Sequence, residues 1–241
     1  MGNMYVALDT ASTKNIIDSL AAALVTKYGG GVNFHYQSNT ILIFRCPAIS
    51  DKYIRFYLET TSENYMNFGS GYDSGSTSVN GIRMTFHYAR NTLEYHLVLG
   101  DSFMFMTTKA SDTEYNSAVV IGKTKAGISI CFGAGVSNSA WVEYTAAMDA
   151  TNNKEIDFLC LSQKLYSSDG VPYIMPLIIF EKATGLPLTC ADGSFDTIEG
   201  LYMSCYNGGL LIRENAMFSP NYRYVTTTEY TRLRTSLVAM F

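Results

Sequence analysis

Three histidines, His35, His87 and His96, are the residues of this sequence best suited to acid–base or metal chemistry. A metal site needs further His, Cys or carboxylate ligands at a fitting spacing, and lone histidines on strands are usually structural. His87 and His96 are close enough along the chain to face each other across neighbouring strands. The sequence shows no nucleophile, base and orienting acid in a recognisable arrangement. We therefore predict no metal and no enzymatic activity.

One short segment, Gly122-Lys123-Thr124, resembles the end of a phosphate-binding loop. That loop needs a first glycine five residues earlier, where Ser117 stands, and a helix after it. Residues 126–132 instead have the pattern of a strand. The acidic residues around Gly193 lack the alternate spacing of a calcium loop, so a turn is the better interpretation. We therefore predict that the protein has no cofactor.

The composition restricts the class of partner. Charged residues make up 16% of the chain, against roughly 25% in an ordinary soluble domain. The net charge is −4 and the pI is about 5.4, whereas a nucleic-acid-binding domain shows a basic patch. Eighteen tyrosines are present. We therefore expect no nucleic-acid specificity and a surface largely covered by protein partners.

The five cysteines indicate the compartment. Their number is odd and no two have the CxxC spacing, which is typical of buried, reduced thiols in a reducing compartment. Residues 1–13 lack the basic start and apolar stretch of a secretory signal. The longest apolar run, residues 171–180, contains two prolines and has about half the length that spans a bilayer. We therefore expect no membrane insertion.

One amphipathic helix is predicted near the N-terminus. Ser12 or Thr13 caps it, and the glycines at 29–31 end it, because glycine accepts the left-handed conformation that closes a helix. Its apolar residues recur with helical spacing on one face: Ile16, Leu20, Ala23 and Leu24. We expect this face to pack on a sheet.

The rest of the chain has the alternation of β-strands. In residues 53–59, Ile54 and Phe56 lie on one face, and Tyr53, Arg55 and Tyr57 on the other. Their expected antiparallel partner is 40–45. Further predicted strands are 95–99, 102–107, 119–122, 128–132, 140–145, 173–180, 201–205 and 210–213.

Two kinds of residue refine this pattern. Gly100-Asp101 between two apolar runs predicts a two-residue hairpin, because a first glycine suits the primed turns. Pro172 and Pro176 predict an edge or bulge for 173–180, since proline cannot donate to a ladder. The predicted fold is α+β and mainly β, with antiparallel sheets or a sandwich and one N-terminal amphipathic helix packed on them. We expect a single domain over 1–241, or a subdivision near 148–154.

Residues 62–78 form a predicted loop that is polar and glycine-rich. It contains three aromatic residues, Tyr65, Phe68 and Tyr72. A linker has no need of them, whereas a contact loop uses aromatic side chains for contact area at low rotamer cost. The sequence leaves both interpretations open, and the three residues are candidate interface residues.

The chain ends in consecutive apolar residues, which add four candidate interface residues: Leu237, Val238, Met240 and Phe241. In a strand, successive side chains point to opposite faces, so both faces of this segment are apolar. The body of the protein covers one face. A neighbouring subunit covering the other is one hypothesis, and an ordinary core strand is the other.

Several segments together resemble virion structural proteins of tailed bacteriophages, which are encoded among tail and neck genes. The resemblance depends on the order of these segments along most of the chain: the helix at 12–28, the strands at 32–44 and 53–59, the hairpin at 95–104, the strand and loop at 115–122 and 133–135, the turn at 195–202 and the ending at 229–240.

The resemblance implies a structural part of a tail, baseplate or neck that acts in assembly through protein–protein interfaces. Its partners are then other virion proteins or further copies of itself, in a homo-oligomeric ring that one repeated interface closes. Its location is the virion, assembled in the host bacterial cytoplasm. A receptor- or carbohydrate-binding module of a tail tip is the alternative function, supported by the tyrosine-rich segment 62–78.

Overall fold

The structure is a computed structural model. It describes residues 3–58, 63–88, 94–111, 114–137, 140–142, 148–149, 154–157, 173–181, 183–205, 222–225 and 235–240. Strands make up 54% of the structure, and one helix packs near the N-terminus. The predicted class, α+β and mainly β with antiparallel sheets, is confirmed.

Helix α1 spans Thr13–Tyr28, within the predicted bounds. Ser12 is its N-cap and accepts a hydrogen bond from the backbone N–H of Asn15 at 3.1 Å, which satisfies one of the free donors of the first turn. Gly29 ends the helix at φ 56°, and a short 3₁₀ turn, Gly29–Gly31, follows. The buried face contains the predicted residues and two more: Ile16, Ile17, Leu20, Ala21, Ala23 and Leu24.

Nineteen strands are found among the described residues. They are β1 (Met4–Ala7), β2 (Asn33–Gln37), β3 (Ile41–Cys46), β4 (Ser50–Tyr57), β5 (Glu63–Asp73), β6 (Ser78–Tyr88), β7 (Glu94–Leu99), β8 (Phe103–Ser111), β9 (Glu114–Lys123), β10 (Ser129–Ser137), β11 (Ala140–Val142), β12 (Met148–Asp149), β13 (Lys154–Asp157), β14 (Tyr173–Ile178), β15 (Phe180–Glu181), β16 (Leu186–Pro187), β17 (Thr197–Cys205), β18 (Tyr222–Val225) and β19 (Thr235–Met240).

The strands form three antiparallel sheets. A five-stranded sheet contains β2 to β6 in chain order, as a simple meander. A ten-stranded sheet has the order β1-β7-β8-β9-β10-β12-β13-β15-β16, with β11 also paired to β10. A four-stranded sheet has the order β14-β17-β19-β18. Strand β12 pairs with both β10 and β13 within the ten-stranded sheet.

One core joins the helix to the two larger sheets. Leu20 and Leu24 of α1 belong to the same buried cluster as Phe44 and Phe56 of the five-stranded sheet and Leu97 of the ten-stranded sheet. The opposite side of the ten-stranded sheet is buried as well, along the cross-strand row Val98, Phe105 and Val120. The chain therefore buries the central strands of this sheet on both faces.

The hairpin between β7 and β8 is confirmed, but its glycine has a different role from the predicted one. Gly100 and Phe103 flank the turn, and the Gly100 N–H donates to the Phe103 carbonyl at 2.8 Å. Gly100 does not adopt a positive φ. A Cβ there would lie 2.7 Å from Cζ of the Phe103 ring, so glycine is needed for close packing. The hairpin of β9 and β10 also confirms that a strand follows Gly122-Lys123-Thr124.

The proline prediction for residues 173–180 is confirmed. Strand β14 lies at the edge of the four-stranded sheet, and its register with β17 shifts between Pro176 and Ile178. Proline has no N–H for a ladder bond, so an edge position with a bulge is where it fits. The predicted strand at 210–213 lies outside the described residues.

The prediction of a loop over residues 62–78 is wrong. Most of this segment is β5, which pairs with β4 and β6, and only a short turn separates it from β6. One of the glycines that suggest a loop, Gly69, allows the two strands to come close together: a Cβ there would lie 2.6 Å from the Asn80 carbonyl carbon. Within the strand, Met66 and Phe68 point to the core and alternate with Tyr65 and Asn67.

The predicted approach of His87 and His96 is also wrong. His87 lies on β6 in the five-stranded sheet, opposite Asn64. His96 lies on β7 in the ten-stranded sheet, opposite Thr107 and Ala7. Consecutive strands here belong to different sheets, so sequence proximity does not make the two histidines cross-strand neighbours.

The C-terminal strand β19 lies between β17 and β18. Leu237 and Val238 pair with Met203 and Tyr202 on one edge, and the other edge pairs with β18. Its backbone is therefore satisfied within this chain on both edges, as in an ordinary interior strand. Phe241 lies outside the described residues.

Deleting residues 238–241 should therefore destabilise the monomer's own fold. The deletion removes ladder bonds to both β17 and β18, each worth about 0.5–1.5 kcal/mol net, so we expect a loss of at least about 2 kcal/mol. Thermal unfolding of the truncated and full-length chains, with self-association measured by light scattering, tests this. Unchanged stability with lost self-association would instead support docking of this segment on a neighbouring subunit.

Candidate functional site

The side of the five-stranded sheet away from the core forms the candidate site. Phe44, Phe56 and Phe68 point into the core, so the residues that alternate with them point the other way. We call the resulting cluster the tyrosine–arginine face. It consists of His35, Arg45, Tyr53, Arg55, Tyr57, Tyr65, Asn67, Tyr72 and Arg83.

Tyr65 on β5 is at the centre of this face. The Tyr57 ring stacks on it with centroids 4.6 Å apart and planes 22° apart. The Arg83 guanidinium lies 4.0 Å from the Tyr65 centroid. Because β5 lies between β4 and β6, these neighbours cover opposite faces of the Tyr65 ring. Both faces of the ring are therefore occupied by side chains of this protein.

Arg55 is an arginine held inside this cluster. It is 8% exposed, and its Nη1 donates to Tyr65 Oη at 2.9 Å and to Asn67 Oδ1 at 3.1 Å. Its guanidinium also lies 5.0 Å from the Tyr57 centroid. Its buried Nε has no hydrogen-bond partner among the described residues. Cation–π contacts offset part of the cost of burying this charge, but no described carboxylate pairs with it.

A second group of rings continues the face toward β2. Tyr53 and Tyr72 have centroids 5.5 Å apart, and His35 meets the Tyr53 ring edge-on at 5.0 Å. The Arg45 guanidinium lies 5.0 Å from the Tyr53 centroid, and its Nη2 donates to the backbone oxygen of Asp51 at 2.9 Å. Burial, with the positive charge of Arg45, lowers the pKa of His35, so its imidazole is neutral at pH 7.

The predicted contact residues fall in different places. Tyr65 and Tyr72 lie on the tyrosine–arginine face and are half-buried. Phe68 is 1% exposed in the core, so a role for it in surface contact is wrong. Leu237, Val238 and Met240 lie in the interior strand β19 of another sheet.

Sequence reasoning missed the arginines of this face. The alternation of Tyr53, Arg55 and Tyr57 on the polar side of a predicted strand was a signal for part of it. That pattern shows which residues share a face, but not that Tyr65 and Arg83 come alongside them. Strand order and register bring the three strands together.

One further polar arrangement couples two strands of the ten-stranded sheet. Tyr5 Oη lies 2.6 Å from His96 Nδ1, and His96 Nε2 lies 2.6 Å from Glu94 Oε2. Because Tyr5 is on β1 and His96 on β7, this chain of hydrogen bonds ties the first strand to its neighbour. We interpret it as structural, because it joins the side chains of two strands that are already paired in one sheet.

The described part of the chain contains no group of three or more His, Cys, Asp or Glu residues that could hold a metal ion. The segment around Gly193 is a turn in which Asp192 accepts a hydrogen bond from the Ser194 N–H at 2.9 Å. Cys46, Cys131 and Cys190 form no disulfide, and burial raises the pKa of Cys46. A raised thiol pKa lowers the reactivity of that sulfur.

Fold and site together define an antiparallel β protein with one packed helix and a polar aromatic surface. No protein-family model and no curated protein matches the sequence. No helix among the described residues is both long and apolar enough to cross a membrane.

Proposed function

We propose that this protein is a structural component of a tailed-phage virion, in the tail, baseplate or neck, and that it acts in assembly through protein–protein interfaces. The observation that carries the proposal is the tyrosine–arginine face. Tyrosine and arginine are enriched among the residues that dominate binding energy at protein interfaces. The resemblance of the ordered segments to virion structural proteins is the reason for proposing a virion as the assembly.

Self-association into a ring with other virion proteins around it is part of the same proposal. A single heterologous interface, repeated by rotation, closes into a ring without requiring a second kind of surface. Assembly in the host bacterial cytoplasm agrees with the lack of a disulfide at Cys46, Cys131 and Cys190, because that compartment keeps cysteines reduced.

The carbohydrate-binding alternative receives less support from the geometry. Sugar rings bind proteins by lying flat on an open aromatic face. Neighbouring side chains cover both faces of Tyr65, and Arg45 and Tyr72 lie beside Tyr53 from the strands on either side of it. The face offers ring edges, hydroxyls and guanidinium groups, which suit polar protein contacts better.

Mass spectrometry of gradient-purified virions tests the proposal. We expect this chain in several copies per particle, at a ratio to the major tail proteins that stays constant across the particle peak. A host cytoplasmic protein measured in the same fractions is the control for contamination. Absence of the chain from particles, or a ratio that follows the contaminant, would overturn the proposal.

A further inference from the structure

We propose that the tyrosine–arginine face binds an acidic segment of a partner protein, an inference that deepens the proposed function by naming the partner's chemistry. The nine residues of the face include three arginines and no Asp or Glu, on a chain whose net charge is −4. Neither Arg45 nor Arg55 forms an ion pair with a described carboxylate. The nearby Asp51 carboxylate is occupied by Lys123 at 3.0 Å.

Arg55 provides the strongest reason to expect an anionic group above this face. Its guanidinium is nearly enclosed by Tyr57, Tyr65 and Asn67, yet none of these neighbours is charged. A buried cation with incomplete hydrogen bonding is unfavourable unless an opposite charge comes near. A carboxylate placed over the cluster would supply that charge in a partly desolvated setting, where charge-assisted interactions are stronger than in water.

The face also has donors arranged for a carboxylate. Tyr65 Oη accepts a hydrogen bond from Arg55 Nη1, so its own hydrogen remains available to donate. Arg45 is half-buried and uses Nη2 on a backbone oxygen, while its planar group keeps further N–H donors. Neutral His35 at the end of the face adds no competing charge. Carboxylate oxygens are pure acceptors and match such a surface.

Single-stranded nucleic acid is the other polyanion that combines with aromatic and basic residues. Its bases bind by stacking on open aromatic faces. The opposite faces of Tyr65 are covered by Tyr57 and Arg83, so this ring offers no stacking platform. The covered rings therefore favour an acidic protein segment over a nucleic acid.

Selection from a yeast-displayed library of random peptides tests this inference on the purified full-length chain. At physiological salt we expect the enriched peptides to contain more Asp and Glu than the starting library. The tightest peptide, measured by fluorescence anisotropy, should lose binding when its Asp and Glu are replaced by Asn and Gln. Arg45→Gln and Arg55→Gln should each weaken binding roughly tenfold, the equivalent of about 1.4 kcal/mol for a charge-assisted contact.

Controls separate charge at this face from charge elsewhere and from misfolding. The double variant Lys14→Gln, Lys125→Gln removes two exposed positive charges outside the face and should bind the peptide as the wild type does. Melting temperatures check that each variant folds; if Arg55→Gln does not fold, the half-buried Arg45→Gln decides the result.

Three results would overturn the inference. The first is a selection that yields no peptide, or peptides with no excess of Asp and Glu. The second is peptide binding that Arg45→Gln leaves unchanged. The third is oligothymidine binding that is tighter than peptide binding and is weakened by Arg45→Gln to the same extent. These measurements use only purified protein. Absence of the chain from virions would therefore overturn the proposed function alone.

Discussion

Replacing Gly81 by alanine should destabilise the protein by about 3 kcal/mol or more, the upper range for overpacking in a well-packed region. A Cβ on Gly81 would lie 2.6 Å from the Gly69 Cα and closer still to the Phe68 carbonyl oxygen. These are backbone atoms of β5, so relief requires the two strands to separate. Gly69→Ala meets the Asn80 backbone in the same way and should have a similar effect.

Gly71→Ala is the matched control, since Gly71 lies on β5 with Gly69 and in the same pair of strands as Gly81. Its Cβ would meet the Asn80 side chain at 3.4 Å, an ordinary contact, so we expect a change within about 1 kcal/mol. Denaturant unfolding of the three variants measures the difference. If Gly81→Ala unfolds at the same denaturant concentration as Gly71→Ala, the close approach of β5 and β6 is wrong.

Phe56→Ala should cost about 3–5 kcal/mol, because it removes a buried ring and leaves a cavity. Phe56 is 1% exposed and stacks parallel to Phe44, with centroids 6.4 Å apart, in the core that α1 covers. At roughly 2–4 °C per kcal/mol for a chain of this size, the melting temperature should fall by at least about 6 °C.

Phe195→Ala makes the same chemical change at a residue that is 52% exposed. We expect it to cost no more than about 1 kcal/mol, since surface substitutions are usually small. Thermal unfolding compares the two variants directly. Equal losses of stability would mean that the core does not lie between the helix and the five-stranded sheet.

The tyrosine–arginine face depends on this core. Tyr57 and Arg55 flank Phe56 along β4, so the burial of Phe56 sets the direction of both neighbours. A partner that binds the face therefore meets side chains held by a rigid sheet, which lowers the entropic cost of ordering them at an interface.

Local sequence patterns were enough to predict much of the secondary structure. The cap at Ser12, the helical spacing from Ile16 to Leu24 and the glycines after Tyr28 act within a few residues, and the helix has the predicted bounds. The alternation in β4 and the hairpins around Gly100 and after Gly122 depend on neighbouring residues in the same way. Short-range signals of this kind remain valid wherever the segment lies in the fold.

Only the tertiary structure decided which strands pair and which side chains come together on the outer side of the sheet. Gly69 lies in the segment predicted to be a loop, but across two paired strands Gly69 and Gly81 make room for close backbone contact. Arg55, Tyr65 and Arg83 come from three separate strands, and strand order and register alone bring them into one cluster. Because cross-strand neighbours are distant along the chain, no local pattern specifies them, and the candidate site emerges only once the sheet has formed.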